Sequence, residues 1–277
     1  MSREPGEQLN ASAEEPAPFR SLLAFAYKTF VVAELEVRRL RHDPTELLTR
    51  AVQPALWLLI FGEVFTRTRA IPTGDLRYLD FMAPGILAQS VLFVAIFSGL
   101  ALIWERDLGI IHKLFVSPTP RAALVLGKAF SAGVRSFSQV AIVYTLAVLL
   151  GVRLNWSPLA LVGVVVTVLL GASCFATLSL IIAATVKTRE RFMGIGQVLT
   201  MPLFFASNAI YPLSIMPPWL QVLARINPLS YQVGALRALM IPGGEGLSAI
   251  GADFAVLVAA TLILVAIAVR VYPRVVT

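Results

Sequence analysis

The sequence predicts an all-α polytopic membrane protein with six transmembrane helices. Three observations lead there. First, 57% of the 277 residues are hydrophobic and only 14% are charged. A soluble domain carries charge on about a quarter of its positions, so a single soluble globule is excluded, as is disorder over most of the length. Second, three charge-free runs, residues 81–104, 154–186 and 192–224, each exceed the roughly 20 residues that a spanning helix needs. Third, the 23 Lys and Arg residues, which give a net charge of +7, sit mostly in short stretches between apolar runs. That pattern fits membrane orientation rather than nucleic-acid binding.

The elements follow in chain order. Residues 1–18 have no apolar core and are rich in Glu, Pro, Ser and Ala. They read as a disordered cytoplasmic tail, not a secretory signal. Residues 19–42 place Phe19, Leu22, Leu23, Ala26, Phe30, Ala33, Val37 and Leu40 on one helical face. Arg20, Lys28, Arg38 and Arg41 fall mainly on the other face. Such a basic amphipathic helix lies in the membrane surface, or packs on a soluble partner. Residues 43–277 form the six-span domain, with spans at about 47–66, 81–104, 123–152, 159–186, 192–212 and 252–272. The shorter apolar runs end on Arg50, Arg67, Arg135, Arg153 and Arg270, whose long side chains can snorkel to the headgroups. With six spans, 17 Lys and Arg fall on the side of the termini and 6 on the other. Both termini are therefore expected in the cytoplasm.

The stretch between spans two and three is both charged and apolar. Leu108, Ile111, Leu114 and Phe115 recur at helical spacing, and Pro118 and Pro120 forbid continuation. It reads equally as a linker with an interfacial helix and as a docking helix for a cytoplasmic motor. At the outer end of span five, Pro202 weakens the helix and Pro212 is expected to stop it. Residues 219–240 are too apolar for an exposed loop and are broken by Asn227-Pro228. Two short helices dipping into the outer leaflet fit this pattern, with Tyr211, Trp219 and Tyr231 at the interface.

Polar groups within the spans are few. Glu63, Gln89 and Gln139 are the candidate lining of a translocation path. Glu63 also reads as an i,i+4 partner of Arg67. Gln89 and Gln139 read as interhelical hydrogen-bonding groups or as cargo contacts. His42 and His112 are far apart, and Cys174 is the single cysteine. No metal site is expected, and no internal disulfide can form.

Phe205-Ala-Ser-Asn-Ala-Ile-Tyr-Pro212, Met216-Pro-Pro-Trp-Leu220, Asn227-Pro-Leu-Ser-Tyr231 and Arg237-Ala-Leu239 resemble, in order and spacing, the signature after the fifth span of the ABC type 2 transporter permease family. The bacterial drug-exporter branch, related to daunorubicin-resistance permeases, is the most similar, and Ser207-Asn208 in place of Ser-Gly fits it. The resemblance covers residues 19–272. The loop at 105–120, followed by Leu126-Gly-Lys128, looks like the coupling-helix region of the family. The resemblance implies that Glu105, Arg106, Gly109, Ile111, His112, Lys113, Leu114, Pro118 and Pro120 couple the permease to its ATPase. It implies an outer gate of re-entrant helices carrying Phe205, Asn208, Tyr211, Pro212, Pro217, Trp219, Asn227, Pro228, Tyr231 and Arg237. It further implies a bacterial plasma (inner) membrane location and a second permease copy or a similar permease. The resemblance implies two cassette ATPase subunits that bind ATP and Mg on the cytoplasmic face. This chain itself takes no cofactor: Gly127-Lys128 is followed by Ala129, not Ser or Thr, and has no Gly five residues before it, so no phosphate loop is present. The expected function is export of a hydrophobic or amphipathic substrate, a drug-like molecule, lipid or glycolipid, on ATP hydrolysed by a separate subunit.

The sequence is also compatible with two rival classes. An ATP-independent secondary transporter or channel would need intramembrane charges for ion coupling, and only Glu63 offers one. A lipid-modifying membrane enzyme would need a clustered acid, base, nucleophile or metal set at a membrane face. The sequence has none.

Overall fold

The computed structural model describes residues 44–69, 71–74, 76–109, 121–243 and 247–272. The expected N-terminal tail and interfacial helix lie outside the described residues, as do residues 110–120 of the coupling loop. The described residues are helical and contain no strand. α1 (Pro44–Leu56) runs into a π-helical stretch (Trp57–Gly62) and then α2 (Glu63–Thr68). α3 (Tyr78–Phe97) and α4 (Leu100–Asp107) follow, then α5 (Arg121–Leu149), α6 (Pro158–Thr185) and α7 (Arg189–Phe205). A 3₁₀ turn (Leu213–Ile215) leads to α8 (Pro218–Ile226), α9 (Pro228–Met240) and α10 (Leu247–Val271).

Several helix starts are written locally. Ser157 Oγ accepts from the Ala160 N–H at 3.3 Å, with Pro158 in the first turn of α6. Thr188 Oγ1 accepts from the Arg191 N–H at 3.3 Å at the start of α7. Asn227 Oδ1 accepts from the Leu229 N–H at 3.0 Å, with Pro228 opening α9. Each such cap contributes about 1 kcal/mol, and proline fits where the N–H has no helical partner. α4 ends in the opposite way. Gly109 adopts φ +69°, a left-handed conformation that a side chain disfavours.

Among the described residues, four stretches are long and apolar enough to cross a membrane: Tyr78–Asp107, Leu124–Leu149, Pro158–Thr185 and Ile250–Val271. Two segments read as spans from sequence depart from a continuous helix over the expected range. The second is broken at Ser98–Gly99. There the Ser179 hydroxyl of α6 accepts from the Gly99 N–H at 3.1 Å and donates to the Ile96 carbonyl. A side chain inserted into the backbone ladder in this way bends a helix. The helix of the fifth, α7, stops at Phe205, seven residues before the proline expected to stop it. Ser207 Oγ donates to the Phe204 carbonyl at 2.6 Å and accepts from the Ala209 N–H at 3.3 Å. Short polar side chains compete with the helical ladder by such local bonds.

α6 is central and packs against α3, α5, α9 and α10. α3 is buried over most of its circumference, whereas α10 exposes Leu262 and Ile263. An apolar helix face left open is what a hydrocarbon surround accepts. The larger core gathers Met82, Ile86, Leu92, Phe175, Phe204 and Leu236. A smaller core gathers Leu102, Val125, Phe192 and Tyr272 at the other end of the bundle.

Candidate functional site

The two cores mark two ends, and each end carries a polar network. At one end α4 finishes with Glu105, Arg106 and Asp107. Each of the three is tied to a different strand of chain. Lys128 of α5 donates to Glu105 Oε2. Arg106 donates to the Val186 carbonyl at 2.8 Å and the Lys187 carbonyl at 2.6 Å, both in the turn after α6. Arg189 of α7 grips Asp107 through Nε at 3.1 Å and Nη2 at 2.9 Å, and lies 5.5 Å from the Trp104 ring centre. The exposed Arg189–Asp107 pair contributes little energy alone. Together the three contacts fix the last turn of α4 against α5, α7 and the turn after α6. Glu105, Arg106 and Gly109 of the expected coupling set are thus placed at the bundle end. Ile111, His112, Lys113, Leu114, Pro118 and Pro120 lie outside the described residues.

At the opposite end the segment after α7 is stapled to α3 and α9. Asn227 Nδ2 donates to the Leu203 carbonyl at 2.6 Å and the Ala206 carbonyl at 2.9 Å. It therefore closes the C-terminus of α7 while its Oδ1 opens α9. Arg237 Nη2 donates to the Asn208 carbonyl at 2.8 Å, and its guanidinium sits 3.8 Å above the Phe81 ring centre. Tyr78 donates to the Ile210 carbonyl at 2.9 Å, Tyr211 to the Phe205 carbonyl, and Tyr231 to the Arg225 carbonyl at 2.6 Å. A methyl on Gly85 of α3 would run into the Ala209 backbone, so this crossing requires glycine. Pro212, Pro217 and Pro228 occupy the caps and first turns of the 3₁₀ turn, α8 and α9. Phe205 and Trp219 are exposed. Asn208, Tyr231, Arg225 and Arg237 border a half-open cleft of about 760 Å³.

The expected path residues are not brought to one place. Gln89 and Gln139 are buried in the bundle, and Gln89 Nε2 has no hydrogen-bond partner among the described residues. Glu63 is exposed on α2, where Arg67 donates to it at 2.9 Å.

Sequence reading missed three features. Asp80 is buried at 3% side-chain exposure and takes a 2.8 Å bond from Arg77 and a 3.2 Å bond from the Arg153 N–H. Arg77 also donates to the Gly151 carbonyl, so α3 and the α5–α6 loop are joined. Hydrogen bonding to Asp80 raises the Arg77 pKa. The i,i+3 spacing of Arg77 and Asp80 at a helix start was the available signal. Ser179 in the α3–α4 break and Gln232, fully buried against Gly171 of α6, carried no sequence signal.

Comparison with known proteins gives this geometry a family. Residues 27–241 match the family model described as ABC-2 type transporter. The chain is 32% identical over 217 residues to a candidate transport permease, ycf38, of Cyanophora paradoxa, covering 78% of this chain and 74% of that one. It is 26% identical over 200 residues to the daunorubicin resistance ABC transporter permease protein DrrB1 of Streptomyces coeruleorubidus, with 72% and 70% covered. It is 25% identical over 196 residues to the inner membrane transport permease YadH of Escherichia coli K12, with 67% and 73% covered. The family match spans more than half of a chain whose long apolar helices suit a bilayer, and the chain therefore belongs to the ABC-2 type transporter family as a membrane-embedded permease subunit.

Proposed function

We propose that this permease works as one half of an ATP-driven exporter, paired with a second permease copy and with two cassette ATPase subunits. The observation that carries the reading is the triple attachment of α4's last turn. Any displacement of the segment after Gly109 acts on Glu105, Arg106 and Asp107, and from them on α5, on the α6–α7 turn and on α7. A motor pushing there moves three helices together. ATP shifts such an equilibrium only through its differential affinity for two states, and about 5.5 kcal/mol swings a 1:99 population to 99:1.

Six spans complete this reading, with the α1–π–α2 rod as the first and α7 as the fifth. The network at Glu105 then faces the cytoplasm, as do both termini, and the α8–α9 pair dips into the outer leaflet. The 17-to-6 partition of basic residues supports this orientation in a bacterial plasma membrane. The cargo is hydrophobic or amphipathic. The drug-resistance name of the Streptomyces relative supports a drug-like molecule, and lipids and glycolipids share the same physical character. Glu63, the carboxylate expected to serve ion coupling, is exposed and paired with Arg67, and the buried Asp80 is paired with Arg77, which favours the ATP-driven reading.

The test is reconstitution with a cassette ATPase. A stable complex, and hydrolysis uncoupled from transport by Lys113→Glu, support the proposal. Transport by the permease alone on a proton gradient overturns it, as does labelling of residues 110–120 from the outer side.

A further inference from the structure

We infer that the cleft between α3, the segment after α7 and the α8–α9 pair binds the phosphate-bearing polyol headgroup of a membrane amphiphile. The cleft, of about 760 Å³, lies within the usual range for small-molecule sites. Its walls are apolar, with Leu76, Phe81 and Leu213, and a few polar groups converge on them. That combination is what orients a ligand while burying most of its surface.

Two of those polar groups lack partners. Ser230 is 6% exposed, and its Oγ has no hydrogen bond among the described residues. The same holds for the buried Asn208 Oδ1. A buried polar atom left unpaired costs about 1–3 kcal/mol, which a ligand supplying the missing bonds recovers.

Charge sets the ligand class. The described lining residues include two guanidinium groups, Arg225 and Arg237, against one carboxylate, Asp253. Arg237 is engaged with Asn208 and Phe81. Arg225 is exposed in the last turn of α8, and its guanidinium makes no ion pair or hydrogen bond among the described residues. Arg225 and Ser230 both line the cleft, and a guanidinium fork and a hydroxyl are both donors that a phosphate accepts from. Asn208 Oδ1 only accepts, so it calls for a hydroxyl donor on the same headgroup.

The surface beside Arg225 sets the rest of the molecule. α8 exposes Trp219, Val222 and Ile226, the last at 72%. An apolar helix face next to a guanidinium suits acyl chains below a phosphate, which is the layout of an interfacial helix. A free phosphate would leave that face uncovered. The inference uses the proposed function only to put this end of the bundle at a membrane surface.

The experiment is native mass spectrometry of the full chain, purified in neutral detergent and stripped of lipid. It is titrated with phosphatidylglycerol, with a diacylglycerol of the same chains, and with soluble glycerol phosphate as competitor. Phosphatidylglycerol should be retained at least about tenfold better than diacylglycerol, and Arg225→Gln and Ser230→Ala should each lower its retention several-fold. Arg225 is exposed, so its variant keeps the fold, and an unchanged melting temperature checks this for both. Equal retention of the two lipids, or unchanged retention in both variants, overturns the inference. Displacement of phosphatidylglycerol by millimolar glycerol phosphate overturns the assignment to an amphiphile and points to a soluble phosphate. No ATPase is present in this assay, so its failure leaves ATP coupling untouched, and loss of ATP coupling leaves lipid retention untouched.

Discussion

The Ser179 hydroxyl occupies the gap in the backbone ladder at Gly99, accepting from the Gly99 N–H and donating to the Ile96 carbonyl. Two helices thus share one hydrogen-bond system where the second apolar segment bends. Ser179→Ala removes both bonds and should cost about 0.6–2 kcal/mol, the range for interhelical bonds in membrane proteins. Gly99→Val should cost more, because a Cβ at Gly99 runs into Ser179 and lies 3.0 Å from the Phe192 ring. Thermal unfolding in detergent orders the two variants. A Gly99→Val protein as stable as the parent would count against the close packing.

Asp80 is buried and Arg77 is its charged partner. Arg77→Ala leaves the buried Asp80 carboxylate with the Arg153 N–H but without its charged donor, which should cost about 1–3 kcal/mol, since Arg77 is itself half-exposed. Arg77→Lys should recover only part of this, since a single ammonium cannot reach both Asp80 oxygens and the Gly151 carbonyl as the fork does. Denaturation midpoints of the three proteins check the order.

Asn227→Ala removes the donor to the Leu203 and Ala206 carbonyls and the cap of α9 together. The loss should be about 2 kcal/mol or more, above that of an ordinary cap. Asn227→Asp keeps the cap acceptor but loses the amide donor, so it should be intermediate only if both halves matter. Protease cleavage between residues 206 and 217 should rise in both variants.

Glu105 and Lys128 pair within this chain. Glu105→Lys should lower ATP-coupled transport at least about tenfold by setting like charges face to face, and the swap Glu105→Lys with Lys128→Glu should restore much of it. Recovery in the double variant assigns Glu105 to internal transmission. Its absence assigns Glu105 to direct contact with the ATPase. Hydrolysis and transport are measured together in proteoliposomes.

The helical class was legible because 14% charge and long apolar runs admit few other solutions. The broken region after α7 was legible from Pro212, Pro217, Pro218 and Asn227-Pro228, since each constrains the backbone by its own covalent geometry. The stop of α7 was misplaced because Ser207 and Asn227 act before Pro212 does. Asn227 does so from 21 and 24 residues away, and no local pattern carries a contact of that separation. The bend at Gly99 was invisible for the same reason: its cause, Ser179, is on another helix. The Glu63–Arg67 pair was legible, because the two residues are one turn apart.

The π-helical stretch at Trp57–Gly62 gives the first rod a surplus residue in its winding. Passing that surplus one way or the other along the rod reorients the intervening side chains by about 100°, the angle one residue subtends, without unwinding either end. Trp57, whose ring rests 5.4 Å from that of Phe204, sits at the start of this stretch. A shift of the π-helical stretch would therefore change the contact between Trp57 and Phe204 of α7 first, where the winding of the helix departs from about 3.6 residues per turn.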